Sequence, residues 1–204
     1  MWRITATTWL IWFVITFSYY GFFTWIPTLL VNRGISVTTS FTYSLFIYLA
    51  QIPGYFSAAY LNEKLDRKYT IALYLTGSAL AALWLSGAND PVMVTWAGVT
   101  LSFFLNGTYA GLYAYTPEVF PTWLRATGVG MSSSFGRIGS ITAPIIIGAF
   151  AAQWGFAGVF GMTTTVLAIG VICTLLFAVR TAGRSLEEIT GSGTGVVQAE
   201  SRRH

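Results

Sequence analysis

Ala59-Tyr60-Leu61-Asn62-Glu63-Lys64-Leu65-Asp66-Arg67-Lys68 crowds five charged side chains into positions 63–68. On both sides the chain then runs without charge: no Asp, Glu, Lys or Arg lies between Arg33 and Glu63, or between Lys68 and Asp90. The pattern repeats outward. Arg3 to Arg33 and Asp90 to Glu118 are equally free of charge, and from Arg125 to Arg180 the single charged residue is Arg137. An apolar, uncharged run of roughly 20 residues suffices to cross the hydrocarbon core of a bilayer as a helix. The fold class expected is therefore an all-α membrane protein.

Composition agrees: 54% of the 204 residues are hydrophobic and 9% charged, with a mean hydropathy of +0.63, a balance unlike that of a soluble domain. The pI near 9.3 does not imply nucleic acid, because the basic residues sit in short loops and form no continuous patch. The lone Cys173 permits no disulfide within the chain and the single histidine, His204, is the last residue, so no metal site, cofactor or histidine-based catalysis is expected. With no nucleophile beside a base either, enzymatic function is not expected. The apolar run after Arg3 continues to Val31, too long for the core of a secretory signal, and reads as a retained helix.

Six spans are expected, at about 4–31, 35–61, 69–88, 92–115, 126–150 and 156–180, the last two separated by Gln153-Trp154-Gly155. Residues 1–180 thus form a transmembrane unit. The polar 181–204 tail lacks the apolar side chains to bury itself and reads as disordered. With the N-terminus inside, the inner side carries Arg3, Lys64, Arg67, Lys68, Arg125, Arg180, Arg184, Arg202 and Arg203, and the outer side Arg33. The positive-inside rule then places both termini in the cytoplasm, as expected of a multi-pass protein of the cell membrane. Trp25, Trp84 and Trp154 fall near the outer surface in this arrangement, and Trp2 and Trp123 near the inner one.

The 59–68 loop resembles the G-x-L-x-D-R-x-G-R-R loop of the major facilitator superfamily. Leu61, Lys64, Arg67 and Lys68 match it, while Ala59, Glu63 and Asp66 stand where that motif has Gly, Asp and Gly. Tyr115-Thr116-Pro117-Glu118-Val119-Phe120-Pro121-Thr122-Trp123-Leu124-Arg125-Ala126-Thr127-Gly128 is similar to the E-x-F-P-x-x-x-R-A-x-G stretch of sugar-porter-like and organic-ion members. Gly183-Arg184-Ser185-Leu186-Glu187-Glu188 resembles the G-R-S-L-E-E tail of that branch. The order of the three segments implies helices seven to twelve, the C-terminal six-helix half of a twelve-helix bundle. Tyr19-Tyr20-Gly21 and Phe135-Gly136-Arg137-Ile138-Gly139 look closest to niacin-type, aromatic-acid and organic-anion carriers. The resemblance implies transport by alternating access, with the N-terminal half as partner, in the same chain or a separate one. It also implies a cytoplasmic gate of Glu63, Arg67, Glu118 and Arg125, oppositely charged groups at helix ends whose pairing biases one conformation over another.

Arg137 falls halfway along the fifth span, where an arginine costs at least about 2.5–3.5 kcal/mol on insertion scales and must find partners in protein or water. Ser133 and Ser134 precede it by one turn and Ser140 follows by one. Its planar fork matches a carboxylate with two parallel hydrogen bonds, and no Asp or Glu of this chain shares its depth. Two roles stay open: binding a substrate carboxylate, or a structural arginine satisfied by carbonyls and serines. Tyr19, Tyr20, Gln51, Asn106 and Tyr109 are further midplane candidates, as ring platforms and hydrogen-bonding groups. Asn106-Gly107-Thr108 spells a glycosylation signal inside a span, where no glycan is added. The function expected is secondary transport of a small organic anion, an aromatic or heterocyclic carboxylate. The alternatives are a sugar or other organic-solute carrier, or a non-transporting homodimer of six-helix chains. Any proton-carrying residue would belong to the other half, since every carboxylate here lies in a loop, at a helix end or in the tail.

Overall fold

The computed structural model describes residues 2–32 and 34–181. Arg33, the 183–188 stretch and the tail with Arg184, Arg202 and Arg203 lie outside the described residues. The elements are α1 (Trp2–Asn32), α2 (Val37–Leu49), α3 (Gln51–Lys64), α4 (Arg67–Ser86), α5 (Pro91–Val119) and α6 (Arg125–Phe177), and the described residues contain no strand.

Local chemistry sets the boundaries. Ser36 caps α2 by accepting from the Thr39 N–H at 3.1 Å, and Asp66 caps α4 by accepting from the Lys68 N–H at 2.9 Å. Pro91 opens α5 at the first turn, where its missing N–H costs nothing. The span expected at 35–61 is two helices that break at Ala50. The cause is Pro53, which has no N–H for the Leu49 carbonyl and crowds it with its ring. The spans expected at 126–150 and 156–180 are likewise two helices, which meet at a kink inside α6. The join is Gly155, at φ 62° and ψ −168°, a backbone state that only glycine enters without strain. The remaining helices differ from the expected ranges by a few residues at their ends.

Four segments are long and apolar enough to cross a bilayer by length and composition: Trp2–Thr28, Arg67–Ser86, Arg125–Ala151 and Gln153–Phe177. The other two crossings expected from the sequence are the broken α2–α3 pair and α5, which carries Asn106, Thr108 and three tyrosines along its middle. These less apolar segments line the cleft described below. α1 packs along both parts of α6, α4 against α5 and α6, and α3 against α5, whereas α3 and α6 do not touch.

Apolar side chains are distributed as a membrane requires. Trp12, Phe22, Leu75, Leu101, Leu105 and Phe160 fill the interior, yet Phe41, Phe56, Leu80, Trp96, Ile145 and Leu176 lie exposed on the periphery. Many buried hydroxyls bond back to their own helices, as Ser78 does to the Tyr74 carbonyl at 2.8 Å and Thr116 to that of Leu112 at 2.7 Å. This satisfies polar groups where no water reaches. The protein is an integral, multi-pass membrane protein.

Candidate functional site

α1 meets the first part of α6 at the Phe135-Gly136-Arg137-Ile138-Gly139 stretch. Thr16 on α1 donates its hydroxyl to the Gly136 carbonyl at 2.6 Å. A Cβ on Gly139 would lie 2.7 Å from the Phe13 carbonyl oxygen and 2.7 Å from the Thr16 hydroxyl, so this contact requires glycine. Phe135, one turn before Gly139 on the same face, stacks on Trp9 of α1, centroids 5.0 Å apart. Arg137, about 160° around the helix from both Phe135 and Gly139, lines a cleft.

The cleft, about 210 Å³, is lined by Trp12, Thr16, Tyr19 and Tyr20 of α1, Gln51 and Tyr55 of α3, Asn106, Tyr109 and Tyr113 of α5, and Ser133 and Arg137 of α6. Its volume lies below the roughly 300–1,000 Å³ typical of drug-sized ligand sites. Each wall contributes near the centre of its crossing. Midpoints fall at residue 17 of Trp2–Asn32, between 50 and 51 of 37–64, at 105 of Pro91–Val119 and at 138 of Arg125–Ala151.

Aromatic rings form a connected floor. Tyr19 meets Tyr109 edge-on at 5.2 Å, Tyr109 stacks with Tyr113 at 6.2 Å, and Tyr113 meets Trp12 edge-on at 5.1 Å. Trp12 is held by donating its indole N–H to the Thr116 hydroxyl at 3.0 Å. Asn106 donates to the Ser102 carbonyl at 3.0 Å. Arg137 is exposed in this chain and forms no ion pair among the described residues. Ser140 donates to the Arg137 backbone carbonyl at 2.8 Å, and the guanidinium makes no hydrogen bond among the described residues. A larger apolar groove of about 690 Å³ runs between α2–α3 and α5, nearer the Asp90 end. It is lined by no charged group, and its hydroxyl-bearing side chains are Tyr43, Thr95 and Thr100.

Six of the seven binding residues expected from the sequence, Arg137, Tyr19, Tyr20, Gln51, Asn106 and Tyr109, therefore line one cleft. Ser134 does not. It opens instead into a separate groove with Trp9, Thr127, Gly130, Met131, Phe135 and Ile138, and Ser133 takes the cleft position. Successive helical residues are about 100° apart, so these two serines flank Arg137 on opposite sides and one wall can use only one of them. The cleft also takes Trp12, Thr16, Tyr55 and Tyr113, which the sequence alone does not single out. Their signal was spacing on shared helix faces, as in Tyr109 and Tyr113 one turn apart, which becomes informative once the facing helix is known.

At the charged end, the gate residues separate. Arg67 Nε lies 3.1 Å from Glu118 Oε1, and Arg67 also donates to the Asn62 carbonyl at 2.8 Å. Glu63 is exposed on α3, and Arg125 Nε is buried without a hydrogen-bond partner. Of the four residues expected at the gate, Arg67 and Glu118 thus pair the start of α4 with the end of α5, and Glu63 and Arg125 form no ion pair among the described residues. Tyr69 and Arg180 meet beside this end, the guanidinium donating to the phenol oxygen, and the Val179 N–H donates to the Tyr115 hydroxyl at 3.0 Å.

Comparison with known proteins decides the family. The Major Facilitator Superfamily profile matches residues 8–198. The chain belongs to the Major Facilitator Superfamily. A relative from Acinetobacter baylyi (strain ATCC 33305 / BD413 / ADP1), the niacin transporter NiaP, is 45% identical over 188 residues, 92% of this chain and 43% of that protein. A Bacillus subtilis (strain 168) relative named for niacin/nicotinamide transport is 42% identical over 186 residues, 91% of this chain and 46% of that protein. The fold is similar to part of a POT family transporter solved in complex with a thioalcohol-conjugated peptide. The TM-score is 0.74 at 18% identity, over 97% of this chain and 45% of that one. The chain spans less than half the length of the two niacin-transporter relatives.

Proposed function

We propose that this chain is the C-terminal half of a secondary carrier for a small organic anion, an aromatic or heterocyclic carboxylate, moved by alternating access against a second six-helix half. The observation that carries the reading is Arg137: an uncommitted guanidinium at mid-depth, opening on a small cleft walled by tyrosines. The fork takes the carboxylate, the rings of Tyr19, Tyr20, Tyr109 and Tyr113 hold the flat body, and Gln51 and Asn106 supply polar contacts. The names of the two relatives are in keeping with such a substrate. Alternating access would rock the two halves about this cleft, and the missing half would cover the exposed side of Arg137. Both termini are cytoplasmic in this reading, with the Arg67–Glu118 pair, Glu63 and Arg125 at the inner mouth. No carboxylate lines the cleft, so a coupling proton would be carried by the other half.

The test is uptake of a radiolabelled aromatic carboxylate into proteoliposomes holding the complete two-half carrier. Arg137→Ala should reduce uptake at least about 30-fold, in line with roughly 2–5 kcal/mol for truncating one partner of a buried charge pair. Arg137→Lys, which keeps the charge without the fork, should restore part of it. Unchanged uptake in Arg137→Ala would end the carboxylate reading.

A further inference from the structure

One side of the cleft carries a hydrogen-bond donor with nothing to donate to. Gln51 lines the cleft, yet its amide nitrogen is buried without a hydrogen-bond partner. The Tyr19 hydroxyl lies beside the amide and closes no hydrogen bond to that nitrogen. Buried side-chain donors are nearly always satisfied, because an unmet one forfeits its hydration. Such an atom in a ligand cleft points to a partner that arrives with the ligand. Gln51 is also placed to meet it. As the first residue of α3, directly after the break at Ala50, it sits where Pro53 has loosened the helix. The torsion next to its amide is broad and twofold, so a half-turn swings the N–H into the cleft.

Position supplies the second argument. Arg137 is on α6 and Gln51 on α3, helices that do not touch; the rings of α1 and α5 lie between them. A molecule whose carboxylate meets Arg137 lays its ring along these tyrosines and presents its far side to Gln51. We infer that Gln51 is the specificity-determining residue for the ring: its amide N–H donates to an acceptor carried by the substrate ring, so the carrier prefers heteroaromatic carboxylates to their all-carbon counterparts. This assignment rests on the carboxylate-carrier reading above and adds the chemistry at the opposite wall. A site built to donate a hydrogen bond discriminates against an analogue lacking the acceptor, because the donor is then left buried and unpaired.

Pyridine-3-carboxylate and benzoate provide the test, since they share charge and shape and differ in one ring nitrogen. Uptake of each is measured in proteoliposomes holding the complete carrier, as wild type, Gln51→Leu and Arg137→Ala. Wild type should show a KM for pyridine-3-carboxylate about tenfold below that for benzoate, the scale of one hydrogen bond to a buried donor. Gln51→Leu should raise the pyridine value to that of benzoate, and size-exclusion chromatography of the purified variant reports an intact carrier. If Gln51→Leu fails to assemble, the unbranched and nearly isosteric Gln51→Met is read in the same way. The inference is overturned if wild type shows no preference, if the preference survives loss of the amide, or if an assembled variant loses both substrates alike. The two readings fail separately. Uptake indifferent to Arg137→Ala sinks the carboxylate carrier itself, whereas Arg137-dependent uptake with a ratio unaffected by Gln51 sinks the ring assignment alone.

Discussion

Arg137 and Gly139 show how one short stretch serves two purposes. The arginine faces the cleft, and two residues on the glycine lets α1 approach so closely that a methyl group would press on the Phe13 carbonyl and the Thr16 hydroxyl. Gly139→Ala should therefore destabilise the α1–α6 contact by about 1–3 kcal/mol, the usual cost of overpacking. Gly161→Ala is the control, since its added methyl meets nothing within 4 Å. Thermal unfolding of the purified carrier in detergent separates them: Tm should fall for the first and hold or rise slightly for the second, because Ala also favours the helix. An equal fall in both would mean that the close approach does not matter.

Among the elements, the break between α2 and α3 is the feature most directly tied to the cleft. Pro53→Ala restores the N–H for the Leu49 carbonyl and removes the ring clash, changes worth up to about 3 kcal/mol in a helix interior. A straightened α2–α3 would carry Gln51 away from its present place. The expected result is a higher Tm together with weaker uptake; stability and uptake rising together would argue that the break has no part in binding. The pair linking α4 to α5 is a smaller effect. Arg67 and Glu118 are 30% and 36% exposed, so Glu118→Gln should cost only about 0–1 kcal/mol. That loss should shrink in high salt, where exposed charges are screened. Tm measured at low and high ionic strength, with the swapped double variant Arg67→Glu/Glu118→Arg as rescue, checks both statements.

For the whole molecule, the sharpest expectation concerns orientation. The helix order brings Lys64, Arg67, Glu118, Arg125 and Arg180 to one end of the bundle and Asp90 and Gly155 to the other. The positive-inside rule puts the basic end in the cytoplasm. Replacing the single native thiol by Cys173→Ser allows one new cysteine to be read at a time. In intact cells making the complete carrier, an impermeant maleimide should label Asp90→Cys at once and Lys64→Cys only after permeabilisation. The reverse pattern would invert the orientation.

The charge-free runs alone determined that this chain is a bundle of membrane-crossing helices, because a charge in hydrocarbon costs several kcal/mol wherever the helix packs. They also singled out Arg137, the exception that must be answered by a partner. The separate fates of Ser133 and Ser134, the ring floor of Trp12, Tyr109 and Tyr113, and the parting of Glu63 and Arg125 from the Arg67–Glu118 pair were decided only in the tertiary structure. So was the broken second crossing: Pro53 is visible in the sequence, but its effect on the position of Gln51 depends on where α5 and α1 lie. The physical reason is one of range. Burial in a membrane is a cost that each segment meets by itself, whereas a cleft belongs to side chains from four helices, and the rotation of each helix about its axis is settled by the neighbours it packs against.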